Sequence, residues 1–194
     1  MSIKYKTKMI LAKELEQMLK TTPVEKIHVS QLCRRSNVLP ATFYYHFHDK
    51  YDLISWIFLN DIFQALPVEH LIFNKENMHS VYQKFTRRKW FYEQTFRDAS
   101  QNALCYYMRH FIELITVDAL SYANIQISNP TFITIKFYSY GITGLIYEWT
   151  KSSQSITEDI FITSCYLLIP ESIQSVFKKY PVQRIHHIIK TSNV

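Results

Sequence analysis

Glycine is almost missing from this chain: two in 194 residues, alongside six prolines. A many-stranded β protein needs frequent turns whose backbone angles favour Gly or Pro, so that class is excluded and an all-α fold is expected. Two glycines cannot build a phosphate-cradling loop or a nucleophile elbow, and no paired-acid motif stands in for them. An enzyme is therefore not expected, and no cofactor is called for. Cysteine is sparse as well. Cys33, Cys105 and Cys165 are odd in number, far apart and without a C-x-x-C pair, which fits a reducing cytoplasm rather than a disulfide framework. Long hydrophobic runs are absent too: the longest apolar stretch, Thr131–Trp149, is broken by Lys136 and Glu148 and is too polar to span a bilayer. Lys4, Lys6 and Lys8 lead into no uninterrupted apolar core, so no signal peptide is read there. Cytoplasmic residence is the expectation.

Apolar residues make up 47% of the chain, ample for a core. Its net charge of +6 is unevenly placed. Residues 1–50 hold nine Lys or Arg against four acids, so the first quarter carries nearly all of the excess. That asymmetry points to a polyanion met by the first quarter alone; an ordinary solvated basic face is the plainer alternative.

Helical periodicity runs almost throughout. Leu11, Leu15, Met18 and Leu19 fall on one stripe of a helix spanning about 2–20, and Thr21-Thr22-Pro23 stops it. A short second helix starts with Ser30 as N-cap, carries Leu32 and Cys33 inward and closes at Ser36-Asn37, since Asn tolerates the left-handed conformation. Pro40 suits the first position of a third helix, 40–47. Phe43 and Phe47, four apart, face the core from it, while Thr42, Tyr45 and His46 share another face. Asp49 caps a fourth, longer helix, with Asp52 at its third position, ending near Leu66-Pro67. Further helices are expected at roughly 75–88, 88–98, 100–123, 130–152 and 156–179, with a basic tail from Lys178 to Lys190 extending the last or fraying.

Two short helices joined by a tight turn, the second showing polar residues outward, form a helix-turn-helix pattern. The stretch EKIHVSQLCRRSNVLPATFYYHFHDKYDL resembles the DNA-binding region of TetR-family transcriptional regulators, strongly so over residues 7–55. The aromatic-Tyr-x-His-Phe-x-x-Lys run, Phe43 to Lys50, is its most specific part. FYSYGITGLIYEWT is similar to the penultimate helix of the branch of DhaS-like activators of dihydroxyacetone-kinase genes. The resemblance implies a three-helix DNA-binding head joined by the fourth helix to a larger helical dimerisation and regulatory domain, divided as 1–50 and 51–194.

It further implies that Tyr44, His46 and Lys50 contact phosphates, and that Thr42 and Tyr45 face base edges or the groove wall. A phenol and an imidazole can each donate to a phosphate oxygen, and an ammonium at a helix N-terminus favours the same anion. The methyls of Ala41 and Thr42 could pack on a thymine methyl. Ser30 and Thr7 are further candidate phosphate donors at helix starts. Arg34 and Arg35 are adjacent, so at most one faces DNA. The chain departs from the pattern at Leu39 and Pro40, where the family often has Ser followed by Arg or Lys, and Asn37 stands for its usual Gly. With no Arg on the recognition helix, the commonest guanine readout is missing, and specificity would lean on neighbouring helices or DNA shape.

Gly141 and Gly144, three apart on one helix, each cost roughly 1 kcal/mol of helix propensity relative to Ala. Close approach of a partner helix compensates, either at the family's dimer seam, formed by the last two helices of each protomer, or inside the chain. Aromatics crowd the middle of the chain, from Trp90, Phe91, Tyr92 and Phe96 through Tyr106, Tyr107 and Phe111 to Phe137, Tyr138 and Tyr140. In the family this region encloses an effector cavity, but stripes at helical spacing are more often plain core. Nothing in the sequence identifies effector-binding residues. His46-x-His48 and His186-His187 lack ligand spacing and supporting Cys or carboxylates, so no metal is expected.

The combined expectation is a homodimeric regulator on a pseudo-palindromic operator, controlled by a small-molecule effector or a protein co-activator. Its rival is a helical interaction module with weak or vestigial DNA binding.

Overall fold

Amphipathic repeats become helices along the whole described chain, residues 2–67, 75–98, 104–151 and 157–191 of the computed structural model. They are α1 (Ile3–Leu19), α2 (Val29–Ser36), α3 (Pro40–His46), α4 (Lys50–Ala65), α5 (Lys75–Arg87), α6 (Lys89–Phe96), α7 (Leu104–Tyr122), α8 (Asn129–Lys151), α9 (Glu158–Leu167), α10 (Glu171–Phe177) and α11 (Val182–Thr191). The all-α expectation holds. Parts of the expected helices, at 100–103, 152 and 156, lie outside the described residues.

In the head, α1 buries the expected stripe of Leu11, Leu15, Met18 and Leu19. Leu32, Cys33, Phe43 and Phe47 close over it, with Val24 and Ile27 from the link between α1 and α2. Burying each phenylalanine is worth roughly 1.5–3 kcal/mol, enough to hold a helix as short as α3. One boundary differs from expectation. His28, not Ser30, is the N-cap of α2, without a side-chain bond, because the His28 carbonyl already accepts from the Gln31 and Leu32 N–H groups. Ser30 therefore lies inside the first turn.

The strut α4 packs against α1 on the head side and against α5, α7 and α11 on the other. It buries apolar residues nearly all round, Leu53, Ile54, Ile57, Phe58 and Leu59 among them, plus one carboxylate, Asp61. The Arg88 guanidinium answers that charge: Nη1 donates to both Asp61 oxygens at 2.7 and 2.8 Å, and Nη2 donates to Glu16 of α1. Tyr92 adds a hydroxyl to Asp61 at 2.7 Å. Burial opposes the charge on Arg88, but Asp61 and Glu16 outweigh it and hold its pKa above the ordinary value. One polar knot thus ties α1, α4 and α6.

The expected single helix over 156–179 is two helices. Pro170 has no N–H to continue the ladder and its ring crowds the preceding turn, so α9 ends at Leu167 and α10 departs at 109°. The tail neither extends that helix nor frays at its start: α11 buries Val182, Ile185 and His186. The His186 ring lies 4.3 Å from that of Phe63 on α4. A forked pair fixes the other side of α11, with Arg184 Nε and Nη2 donating to Asp118 of α7 at 2.8 and 2.7 Å.

Candidate nucleic-acid interface

The turn between α2 and α3 is built by backbone chemistry. Asn37 adopts the left-handed region at φ 53°. The Val38 N–H bonds to the Cys33 carbonyl, and the Asn37 N–H to that of Arg34, the paired closure that needs a left-handed residue after the helix. Leu39 is extended and Pro40 opens α3, as expected from its fixed φ.

From α3 the phenylalanines point inward and the remaining aromatics outward. Phe43 and Phe47 are buried, whereas Tyr44 and Tyr45 are 60% and 65% exposed. Ala41 is exposed, and Thr42 and His46 are half-buried. The structure thus brings Ala41, Thr42, Tyr44, Tyr45 and His46 together on one small helix. Leu39, also exposed, stands beside them.

Cations reach this surface from α1. Lys4 Nζ lies 5.1 Å from the Tyr45 ring centroid, and Lys8 Nζ lies 5.0 Å from that of Phe47. Burial chiefly, then Lys8 and Lys4, lowers the pKa of His46, favouring the neutral imidazole. The basic N-terminus was legible as charge, but which lysines flank α3 depends on how α1 packs across it.

The other candidates are placed differently. Thr7 lies within α1, and its hydroxyl donates to the Ile3 carbonyl at 3.2 Å, so it is not at a helix start. Ser30 is exposed in the first turn of α2. Asp49 caps α4 as expected, accepting from the Tyr51 and Asp52 N–H groups at 2.8 and 2.9 Å. Lys50 follows it, yet its ammonium donates to the Glu25 and Ile27 carbonyls, both at 3.0 Å. Two of its three hydrogens fasten the link between α1 and α2. Arg35 pairs with Glu14, and Arg34 is exposed.

A second surface lies on α8. Beyond the adjoining backbone of α8 itself, no described residue comes within 4 Å of where a Cβ on Gly141 or Gly144 would stand. Packing against the described residues of the protomer therefore does not account for them. Around them Ile133, Phe137, Tyr140 and Leu145 are exposed, Phe137 by 80%. These residues recur at helical spacing and form one apolar face. Of the crowded aromatics, Phe91, Tyr92, Phe96 and Phe111 are core, Tyr107 and Tyr138 are half-buried, and Trp90, Tyr106, Phe137 and Tyr140 are exposed. Among the described residues no cluster of His, Cys, Asp or Glu could hold a metal, and no single helix is long and apolar enough to cross a membrane.

A helix-turn-helix head on a larger helical body is the build of a transcriptional regulator. Residues 75–171, half of the chain, match the TetR-type family model described as the C-terminal region of a transcriptional regulator. The chain belongs to the TetR family of transcriptional regulators, which is not a family of enzymes. Among solved structures, the dihydroxyacetone kinase operon activator DhaS is similar at 15% identity and a TM-score of 0.49, over 95% of this chain and 96% of that one. Comparison with curated proteins finds no match.

Proposed function

We propose that this chain is a sequence-specific DNA-binding regulator that acts as a homodimer on a pseudo-palindromic operator in the cytoplasm. The observation that carries the reading is the outward display of Thr42, Tyr44, Tyr45 and His46 from a helix pinned by Phe43 and Phe47, with Lys4 and Lys8 at its flank. Hydroxyls and an imidazole can position on phosphates, and the α3 surface is small enough to enter a major groove. The head is residues 1–50, and 51–194 carry dimerisation and control. Two heads related by a two-fold axis would read two half-sites. The exposed apolar face of α8, with Gly141 and Gly144 in it, would form the seam, together with α9, where Ile160 and Leu167 are exposed. An effector or a protein co-activator would change the separation of the heads, and its coupling to DNA is reciprocal.

A second reading, a helical interaction module with weak DNA binding, draws on two observations: Lys50 is engaged by backbone carbonyls, and α3 carries no arginine. One experiment separates the two. Fluorescence anisotropy of the purified protein on its own upstream DNA and on shuffled DNA, at two salt concentrations, should show sequence-dependent binding that falls steeply with salt. Weak, equal binding to both DNAs, unchanged by added cell extract, would favour the interaction module.

A further inference from the structure

The regulatory body holds a cavity of about 230 Å³ lined from α4, α5, α7, α8, α9 and α11. Protein interiors at ordinary packing density contain few voids larger than a water molecule, so this space is unlike core. Among the described residues its lining holds no Lys, Arg, His, Asp or Glu. Among the described residues, polar groups in the wall come from Asn77, Tyr82, Tyr138, Cys165 and the indole N–H of Trp149, and the rest is aliphatic and aromatic, with Phe58 and Phe111 prominent. Water filling such a space would need two to four polar partners per molecule, more than these side chains offer.

We infer that the cavity is the site of an uncharged, largely apolar small molecule of about ten non-hydrogen atoms, carrying at most one or two hydrogen-bonding groups. The size follows by proportion: a cavity of about 150 Å³ takes a benzene ring, and this one is about half as large again. A protein partner is too big for it, since even one turn of helix sweeps roughly 400 Å³ at its full diameter. The described walls oppose charge, because a carboxylate or ammonium would find no ionic partner among them. The phenol of Tyr138 supplies a neutral hydrogen-bonding group: burial raises its pKa above the ordinary tyrosine value and keeps the proton on. The occupant would touch Phe58, Ile62 and Leu66, at the distal end of the strut that carries the head. This inference rests on the regulator reading for its biological meaning, though not for its chemistry.

The test uses the full-length protein at pH 7.5 and two probes that differ mainly in charge, cinnamyl alcohol and cinnamate. Calorimetric titration should show the alcohol binding at least about 100-fold more tightly than the carboxylate, the penalty for burying an unpaired charge. Ile142→Trp, which fills the cavity, should abolish that binding, and Ile112→Phe serves the same purpose if the first variant does not fold. Equal or tighter binding of cinnamate, no binding of the alcohol, or retained binding in a folded cavity-filled variant would each overturn the inference. Anisotropy on operator DNA runs beside it. Alcohol binding without specific DNA binding would sink the regulator reading and leave the ligand class standing, whereas specific DNA binding with no alcohol binding would do the reverse.

Discussion

The head and the body of this protein turn opposite chemistry outward. On α3 the large apolar side chains are hidden and the exposed aromatics carry hydroxyls, with lysines of α1 at their edge. On α8 an exposed phenylalanine, an isoleucine and a leucine surround two glycines. A solvated helix needs neither arrangement. Hydroxyls and cations suit a hydrated anion such as a phosphate backbone, whereas a bare apolar face with room for close approach suits another helix. The two surfaces thus suit different partners, and α4 and α6, each packed against both α1 and α7, are the helices through which one can report to the other by direct contact.

The largest effect is expected where the halves are joined. Asp61 is 1% exposed and accepts from Arg88 and Tyr92. Asp61→Ala leaves the Arg88 charge without its main partner, and breaking a buried pair from one side costs about 3–5 kcal/mol. Urea unfolding should show that loss as a lower midpoint. If head and body then melt separately, the knot is what makes them cooperative; a loss below about 1 kcal/mol would mean that Glu16 alone suffices.

Next comes the apolar face. Phe137→Lys places a charge at the centre of the proposed seam while removing nothing from the core, because Phe137 is 80% exposed. Ultracentrifugation should find monomers in the variant and dimers in the parent. Operator affinity should fall by on the order of 10², the loss of a second head held at high effective concentration, while the melting of the protomer changes little. A variant that remains dimeric would move the seam off α8.

How much of this contrast the sequence carried depends on how local its cause is. The turn at Asn37, the start at Pro40, the inward pair Phe43 and Phe47 and the cap at Asp49 are each fixed by residues within one or two turns, and all stand in the structure as read. The engagement of Lys50 was not readable, since its carbonyl partners lie 23 and 25 residues away. Nor was the knot of Glu16, Asp61 and Arg88, three charges that look like ordinary surface residues in sequence. Pro170 was readable as a breaker, but the apolar periodicity on both sides masked the break. The exposure of the α8 face could not be inferred from composition, because an apolar stripe reads alike whether it meets its own chain or another.

On the head, Tyr44→Phe and Lys50→Ala separate two ways of serving DNA. Tyr44 is exposed and its hydroxyl is available. Its removal should weaken operator binding by about 3–10-fold, one hydrogen bond to an anion, with unfolding unchanged. Lys50→Ala strips the Glu25 and Ile27 carbonyls of a donor, so it should lower stability by roughly 1 kcal/mol as well as affinity. If the salt dependence of binding in Lys50→Ala matches the parent, its role is to hold the link between α1 and α2, and the phosphate contact belongs to Lys4 or Lys8.

The smallest effect, and the most specific to the head, is a pH dependence from His46. In the free protein burial, reinforced by Lys8 and Lys4, holds its pKa below the ordinary imidazole value. A phosphate within hydrogen-bond reach favours the imidazolium and raises the pKa in the complex. Binding then takes up a proton, so affinity must rise as pH falls through the bound-state pKa and level off below the free-state one. Between about pH 7.5 and 6, spanning the ordinary imidazole range, the gain should be about threefold, measured by anisotropy at constant ionic strength. His46→Gln keeps a hydrogen-bond donor but cannot titrate, and should flatten the profile without much loss at pH 7.5. Set edge-to-face against Tyr45 at 5.0 Å and backed by lysines, His46 could instead serve only to orient that tyrosine. In that case the parent profile is already flat, and Tyr45, not His46, is the side chain that meets the DNA.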